Sequence, residues 1–330
     1  MIFTPPNELI IQTKKGGTSM KLATTTADFK KYAATDAERV RMFAGTGFKH
    51  LDYNFYDKHK KGSDFLTKSW MDEVVAAGRA AEQLNFDFIQ AHSPGYNSEK
   101  PEEDHEAGML ATVRSIEACG YLGINNIVVH TGVANNMKYP ADKQTYFEAS
   151  KRFLDKLVPY MDKYNVNVLI ENGSSKWMGD MYFFMAPDEM LDFVKYFNHP
   201  LLHICWDTGH ANSMNRDPYL DILALGSELR ALHVQDNFGT TDEHIAPFMG
   251  TLPLDSLMQG LIASNYKGYF TFESCNILSA AGEWPSPRKV FPLPEAARLA
   301  SPTPALKQKA IALLYEIGKT ILEQYDCFED

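Results

Sequence analysis

The sequence predicts a single (β/α)8 barrel of the α/β class, and three observations lead to this prediction. Eight short apolar segments alternate with segments whose apolar residues recur at helical spacing. The motif GxGxxG is missing after the first predicted strand, and the repeat does not divide into two halves, so a closed barrel is favoured over an open doubly wound sheet. A chain of 330 residues with 45% hydrophobic residues is also large enough to fill one such core.

The predicted strands are short apolar stretches, most of which end in a polar residue. They are Leu22–Ala27, Phe48–Asn54, Phe86–His92, Asn126–His130, Val166–Glu171, Leu201–Asp207, Ala231–Asp236 and Tyr269–Glu273. Gly47, Gly123 and Gly268 each lie just before a strand, where a helix must end and the chain must turn. This arrangement predicts parallel strands that are joined by helices.

The predicted helices share apolar residues at helical spacing. They are Ser69–Leu84, His105–Cys119, Gln144–Tyr164, Pro187–Phe197 and a last helix over about Pro304–Tyr325.

The domain organisation expected from the sequence is one barrel domain over residues 20–330, preceded by an irregular leader at 1–19. We expect translation to start naturally at Met20, because Lys14–Gly17 could be encoded by a purine-rich ribosome-binding sequence. The segment 276–304 carries six prolines and is too proline-rich for a helix. As a loop that follows a strand it must emerge at the active face of a barrel, as a lid, a subunit contact or a surface extension.

Composition and charge narrow the classes of partner. The formal net charge is -10, whereas proteins that grip nucleic acid through phosphates usually carry a basic surface, so nucleic acid is not the expected partner. The four cysteines are scattered, which predicts reduced thiols. No apolar run of membrane-spanning length and no signal-peptide pattern is found in the sequence, so a cytoplasmic location is expected.

Polar residues of the types that bind metals mark six of the predicted strands. They are His92, His130, Glu171, Asp207, His233 and Glu273. Any one of them alone could be a hydrogen-bonded structural residue or a helix cap. A barrel, however, brings the C-terminal ends of its strands to one mouth, and clustered carboxylates need a cation to neutralise them. Carboxylates with imidazole predict one divalent metal, Mn, Zn, Co or Mg, and no organic cofactor is expected.

Alternation of side chains along a strand supports the same grouping. Leu169 is expected on the inward face with Glu171, and Ala231 on the inward face with His233. Trp206, which precedes Asp207, is expected to face the helix layer and to pack in the core.

The second strand ends with two further polar residues, His50 and Asp52. A structural salt bridge is the preferred interpretation for them, with a contact to substrate as the alternative.

Four stretches of the sequence resemble the xylose isomerase-like barrels. These stretches are Ile170–Gly173, Trp206–His210, Leu232–Asp236 and Thr271–Ser274, supported by Asp242-Glu243-His244 in the loop after the seventh strand. The family includes sugar isomerases, ketose 3-epimerases, inosose dehydratases and endonuclease IV. The resemblance extends from about Met20 to Glu273, and the order Glu, Asp-x-x-His, His, Glu over four successive strands makes it specific.

The resemblance implies a ligand set and a mechanism. The metal ligands of the family correspond to Glu171, Asp207, His233 and Glu273. In its isomerases and epimerases the metal holds an open-chain sugar, and two glutamates on opposite sides of it move a carbon-bound proton through an enediolate. This implies catalytic roles for Glu171 and Glu273, and a substrate contact for His210. The implied partner is a small sugar or polyol. It is expected to be unphosphorylated, because no basic phosphate clamp is evident, and self-association is left open.

Two rival activities within the family, and one outside it, stay open at this stage. An inosose-type dehydratase begins with the same proton abstraction. Endonuclease IV holds three zinc ions on a larger set that overlays His92, His130, Asp242 and His244 in addition to the residues above. The acidic net charge weighs against that nuclease, as does Asn172–Ser175 in place of its longer glycine-rich turn. The third alternative is a non-catalytic binding barrel. Such a protein would have little reason to keep a cluster of charged residues, because burying charges is costly.

Aromatic residues in the loops at the expected mouth are candidate walls for a sugar. They are Phe55, Tyr56, Tyr96, Trp177 and Phe248. Sugars stack their apolar faces on aromatic rings, but aromatic residues that anchor loops are also common, so two of the five are expected to touch substrate.

Overall fold

Eight parallel strands form the centre of the protein, whose computed structural model describes residues 18–101, 104–279, 299 and 301–330. The strands are β1 Leu22–Thr25, β2 His50–Asn54, β3 Asp87–His92, β4 Asn126–Val128, β5 Asn167–Glu171, β6 Leu202–Asp207, β7 Leu229–His233 and β8 Phe270–Phe272. They pair in the order β7-β6-β5-β4-β3-β2-β1-β8, and a bridge from Val234 to Phe272 brings the two ends together. The predicted (β/α)8 barrel is confirmed, and every predicted strand overlaps an observed one.

Helices follow the strands and cover the barrel. The described α-helices are α1 Asp36–Arg41, α2 Trp70–Leu84, α3 His105–Leu122, α4 Lys143–Leu154, α5 Val158–Tyr164, α6 Ser175–Met178, α7 Pro187–Phe197, α8 Thr208–Ser213, α9 Pro218–Leu225, α10 Leu254–Ala263 and α11 Pro304–Gln324. Short 3-10 helices lie at Thr26–Phe29, Asp64–Leu66 and Gly226–Glu228.

The long helix predicted at Gln144–Tyr164 is wrong, because the structure has two helices there, α4 and α5. Pro159 lies in the first turn of α5. A proline lacks the backbone N–H and clashes with the preceding turn, so it is tolerated at a helix start but interrupts a continuous helix. The helix predicted to end at Cys119 instead runs on to Leu122 and ends at Gly123, whose φ of 73° is left-handed.

Two apolar layers surround the strands. The outer layer joins strands to helices and includes Trp206 and Leu232. The inner layer fills the barrel with Val128, Leu169, Cys205 and Ala231. The alternation predicted for Leu169, Ala231 and Trp206 is therefore confirmed, and the polar residues that share the inward face lie directly above this inner layer.

One irregularity occurs where β2 pairs with β3. The register shifts between Leu51 and Asp52, so that Leu51 lies opposite Phe88 but Asp52 lies opposite Gln90. Such shifts redirect side chains and are frequent beside functional sites. Here the shift turns Gln90 towards the same interior as Asp52.

Some predictions fall on residues outside the described ranges. Of the predicted leader at 1–19 only Thr18 and Ser19 are described, and of the loop at 276–304 only 276–279, 299 and 301–304. The single-domain organisation over 20–330 stays a prediction. None of the described helices combines the length and the apolar character that a membrane crossing needs.

Candidate metal centre

Four side chains from four consecutive strands meet at the C-terminal mouth of the barrel. Glu171 ends β5, Asp207 ends β6, His233 ends β7 and Glu273 directly follows β8. One ligand atom from each lies within 4.8 Å of the others. His233 presents Nδ1 to this group, at 2.5 Å from Glu171 Oε1 and 3.5 Å from Glu273 Oε2.

Burial makes this cluster electrostatically unusual. Asp207 is fully buried, and burial, together with the charge of Glu171, raises its pKa to about 7. Its Oδ1 accepts hydrogen bonds from the His210 N–H at 2.7 Å and from Gln235 Nε2 at 3.2 Å. Its Oδ2 is buried and has no hydrogen-bond partner in the described part of the chain. An orphaned carboxylate oxygen beside a second carboxylate is the donor arrangement that a divalent cation neutralises, so the residues fit a metal.

The local chain path fixes the side chain of Asp207. Asp207 is the N-cap of α8 and accepts the His210 N–H, as aspartate does at many helix starts. Asn172, which follows Glu171, donates from Nδ2 to Asp207 O and accepts the Asp207 N–H on Oδ1. The ends of β5 and β6 are thereby tied together, and their two carboxylates face the same space.

His210 is held by the same segment of chain. Its Nδ1 donates to Asn172 O at 2.6 Å, and its Nε2 lies 3.5 Å from Asp242 Oδ2. Burial lowers the pKa of His210, but the carboxylates of Asp207 and Asp242 outweigh burial and hold it well above the usual value. The raised pKa favours the doubly protonated form of the ring.

One further group of ligand-type residues joins Cys205 to Glu171 and His233, and two others adjoin the four-residue cluster. In one of them, His130 Nε2 lies 3.1 Å from Glu171 Oε2 and 3.2 Å from His92 Nε2. In the other, Asp242 Oδ2 lies 3.1 Å from His244 Nε2 and 3.5 Å from His210 Nε2. The ligand atoms of each trio lie within 4.8 Å of one another. All of the ligand-type residues singled out in the sequence therefore come together at one mouth.

A cavity of about 630 Å³ opens above this cluster. Its polar floor and rim include His92, His130, Glu171, His210, Asp242, His244 and Glu273. Trp177 lines one side and meets His210 edge-on, with ring centroids 4.9 Å apart. Tyr56 lines another side. The volume and this mixture of aromatic and polar groups suit a small polar ligand.

The other aromatic candidates lie elsewhere. Phe55 is fully buried and stacks on Tyr53 in the outer layer, with ring centroids 4.4 Å apart. Tyr96 lines a different cavity, of about 260 Å³, where its hydroxyl bonds His105 Nδ1 at 2.6 Å. Phe248 is 64% exposed and has a left-handed φ of 72°. The structure therefore brings Trp177 and Tyr56 to the cavity, and it does not bring these three.

Sequence reasoning missed some polar residues of the site. Gln90 lies beneath the mouth, where its Nε2 is 2.9 Å from His233 Nε2. Asp52, for which a structural salt bridge is the preferred interpretation, has its Oδ2 3.2 Å from His233 Nε2. The inward spacing of Gln90 and His92 on one strand is a signal that could have found Gln90. Asp28 is a second missed residue, and nothing in the sequence marks it. It lines the cavity and is buried, and burial raises its pKa to about 6.

The chain was compared with families and with known proteins. The profile of the xylose isomerase-like TIM barrel family matches residues 40–291. Fructoselysine 3-epimerase of Escherichia coli O157:H7 is 45% identical over 49 residues, which are 15% of this chain and 18% of that protein. Four curated relatives match this chain, and each match covers less than two thirds of the relative's own length. The four shares are 62%, 18%, 18% and 66%.

Solved structures share the fold. D-psicose 3-epimerase with D-tagatose, from Clostridium cellulolyticum H10, has a TM-score of 0.65 at 17% identity, covering 92% of this chain and 99% of that one. AP endonuclease, family 2, from Brucella melitensis has a TM-score of 0.57 at 19% identity, covering 77% and 92%. Likeness at this level of identity shows the fold alone. The match over residues 40–291 shows the family: this chain belongs to the xylose isomerase-like TIM barrels.

Proposed function

We propose that the protein is a divalent-metal-dependent sugar isomerase or epimerase. The observation that carries the proposal is the cluster of Glu171, Asp207, His233 and Glu273. Its two glutamates line a cavity large enough for a small sugar. The epimerase names of a sequence relative and of similar structures support the same reaction class. An open-chain sugar or polyol is the proposed substrate.

The proposed mechanism divides the work among the four ligands. Asp207 and His233 would hold the cation, whereas Glu171 and Glu273 would hold it and also exchange a proton with the substrate. When bound, the cation would supply the Lewis acid that polarises the sugar carbonyl. One glutamate accepts a proton from the carbon beside the carbonyl, and the other returns a proton to the opposite face or to the neighbouring carbon. Glu273 is the more accessible of the two, with a side chain 15% exposed against 2% for Glu171.

His210 is proposed to stabilise the charge that this proton transfer creates. Its Nδ1 is occupied by Asn172 O, so the ring cannot turn away from the cavity. A fixed, charged N–H at this position donates to a substrate oxygen that gains negative charge, without reorganising during the reaction. Trp177, in contact with the His210 ring, is proposed to form the wall on which an apolar sugar face stacks.

The experiment that tests the proposal has two steps. Metal analysis of the purified protein comes first, and a divalent cation bound in a defined ratio to the chain is expected. The metal-loaded protein is then incubated with ketoses, aldoses and inososes in D2O, and deuterium in a sugar C–H bond is measured. Incorporation that depends on the metal is expected. No incorporation across all three classes would contradict the proposed reaction.

A dehydratase on the same site is the closest alternative, because the same carbon-bound proton leaves first. The two reactions differ in the mass of the product. In D2O an isomerised or epimerised product gains the mass of the deuterium on carbon and loses no water, whereas a dehydrated product has lost one water. Mass spectrometry of the same D2O incubations therefore separates the two activities.

An abasic-site nuclease is the second alternative, and a specific observation favours it. The trios His92, His130, Glu171 and His210, Asp242, His244 adjoin the four-residue cluster and offer ligands for further cations. The net charge of -10 opposes it, because DNA affinity depends on phosphate neutralisation. Three metal ions per chain and nicking of an abasic oligonucleotide at physiological salt would favour the nuclease over the sugar enzyme.

A further inference from the structure

Two polar side chains meet the ring nitrogen of His233 that faces away from the metal cluster. Asp52 Oδ2 lies 3.2 Å from His233 Nε2, and Gln90 Nε2 lies 2.9 Å from the same nitrogen. Gln90 Nε2 also donates to Asp52 Oδ2 at 2.9 Å. All three side chains are buried, at 0 to 2% exposure. The amide nitrogen of Gln90 and a protonated Nε2 of His233 are both donors, so the acceptor that they share below the mouth of the barrel is the Asp52 carboxylate.

The two nitrogens of His233 have different neighbours, and this difference assigns their roles. Nδ1 faces Glu171 and Glu273 inside the cluster, so Nδ1 is the nitrogen that can bind a cation. A histidine ligand must offer a lone pair there, which leaves its proton on Nε2. Which nitrogen keeps the proton depends on the hydrogen bond made by the other one. A carboxylate at Nε2 selects the tautomer that the cluster needs.

The burial of the Asp52 carboxylate also supports its role as the partner of the His233 ring. Asp52 is 1% exposed, and its Oδ1 is buried without a hydrogen-bond partner among the residues described. A carboxylate with so little solvation is costly unless a positive charge lies within reach. The His233 ring joins it to the cluster, so a cation held at Nδ1 would compensate Asp52 through the imidazole.

The backbone holds this arrangement in place. The register shift between β2 and β3 sets Asp52 directly opposite Gln90. The ring of His92 lies parallel to that of His233, with centroids 5.7 Å apart and an interplanar angle of 11°. The His233 ring is therefore fixed on its face by His92 and at its edge by Asp52.

We propose that Asp52 is a positioning residue for the metal site: it accepts the Nε2–H of His233, holds that tautomer and presents Nδ1 to the cation. Gln90 anchors the Asp52 carboxylate by donating to it. The inference rests on the proposed function only in requiring a cation at Glu171, Asp207, His233 and Glu273. It is independent of which sugar is turned over.

Metal affinity of the full-length Asp52→Asn variant tests the proposal. Mn²⁺ binding to the metal-free protein is measured by calorimetry, and we expect the variant to bind about 10- to 100-fold more weakly than wild type. Asp221→Asn is the matched control, because Asp221 is also a buried carboxylate but pairs with Arg216 at the start of α9. We expect that variant to keep the affinity of wild type.

A spectroscopic readout separates positioning from a general loss of stability. In the zinc-loaded protein, nitrogen-15 NMR of the histidine rings should find the His233 proton on Nε2. In Asp52→Asn the amide can turn its NH2 towards that nitrogen, so the share of the Nε2–H tautomer should fall. A wild-type protein with the His233 proton on Nδ1 would overturn the proposal.

The remaining outcomes are equally decisive. A wild-type protein that binds no divalent metal would refute the proposed function itself. A wild-type protein that binds metal beside an Asp52→Asn variant with unchanged affinity would refute only the inference. Where Asp52→Asn does not fold, Gln90→Met takes its place, since it removes the donor that anchors Asp52. Weaker Mn²⁺ binding by Gln90→Met is then expected, and unchanged binding overturns the proposal.

Discussion

Asn172 and Asp207 exchange two hydrogen bonds that tie the C-terminal ends of β5 and β6 together. Asn172 Nδ2 donates to Asp207 O at 2.9 Å, and the Asp207 N–H donates to Asn172 Oδ1 at 2.7 Å. One amide side chain thereby satisfies two buried backbone groups that a strand end leaves unpaired. The same contact sets the spacing between the carboxylate of Glu171, which precedes Asn172 in the chain, and the carboxylate of Asp207.

Asn172→Ala should therefore destabilise the protein and weaken its metal binding. Both backbone groups of Asp207 lose a buried partner, which is expected to lower the free energy of unfolding by about 3 kcal/mol. Urea denaturation measures this change. Asn167→Ala is the control, because Asn167 lies at the opposite end of β5 and bonds only the half-buried Asn126 in the described contacts. An Asn172→Ala variant as stable as that control would contradict the role assigned to the amide.

Glu273→Gln should remove turnover while leaving the fold intact. The amide keeps the shape of the side chain but cannot take up or return a proton, so the proposed reaction should slow by about 10²- to 10⁴-fold. Solvent-deuterium exchange and circular dichroism measure the two effects. Glu228→Gln is the matched control, since Glu228 bonds His203 away from the cluster. Full turnover by Glu273→Gln would end its proposed role as a proton carrier.

Asp207 should make a contribution to the stability of the metal-free protein that falls as the pH rises. Burial raises its pKa in the folded protein to about 7, above the ordinary value of 3.8. The folded state therefore holds a proton that the unfolded state has already lost, and the stability present below pH 4 is lost as the pH rises through 7. The slope from this one group is at most about 1.4 kcal/mol per pH unit.

Asp207→Asn separates this contribution from those of the other titrating groups. Relative to wild type, the metal-free variant should gain stability between pH 4 and pH 7, as urea denaturation at several pH values can measure. Saturating metal should reverse the order, because wild type gains binding free energy that the variant largely lacks. A pH-independent difference between the two proteins would contradict the raised pKa.

Trp177→Ala should raise KM for the sugar by up to about tenfold and change kcat less, because a stacking wall contributes about 0.5 to 1.5 kcal/mol to binding. Trp177→Phe should restore most of the loss. Phe55→Leu is the contrasting variant: Phe55 is buried in the outer layer, so only the free energy of unfolding should change. Steady-state kinetics measures KM and kcat separately, with the sugar identified by the solvent-deuterium exchange screen. An unchanged KM in Trp177→Ala would remove Trp177 from the binding site.

The barrel and the residue types gathered at its mouth are predictable from the sequence. Strand and helix periodicities specify the repeat, and a closed parallel barrel must gather the C-terminal ends of its strands. That geometry brings six strand-end candidates together, and the resemblance to the xylose isomerase-like barrels selects Glu171, Asp207, His233 and Glu273 among them as the ligand set. The inward faces of Leu169 and Ala231 followed from the period of two along a strand.

The neighbours of these residues, in contrast, depend on how distant parts of the chain pack together. Phe55 and Trp177 both lie in loops near strand ends, yet one packs into the core and the other lines the cavity, since loop paths follow no period. The contact of Asp52 and Gln90 with His233 depends on a register shift between β2 and β3, and pairing across strands leaves no mark on either strand alone. The orientation of the His233 ring is fixed by residues 143 and 181 positions away in the chain. Contacts between such distant residues come from packing, which local periodicity does not encode.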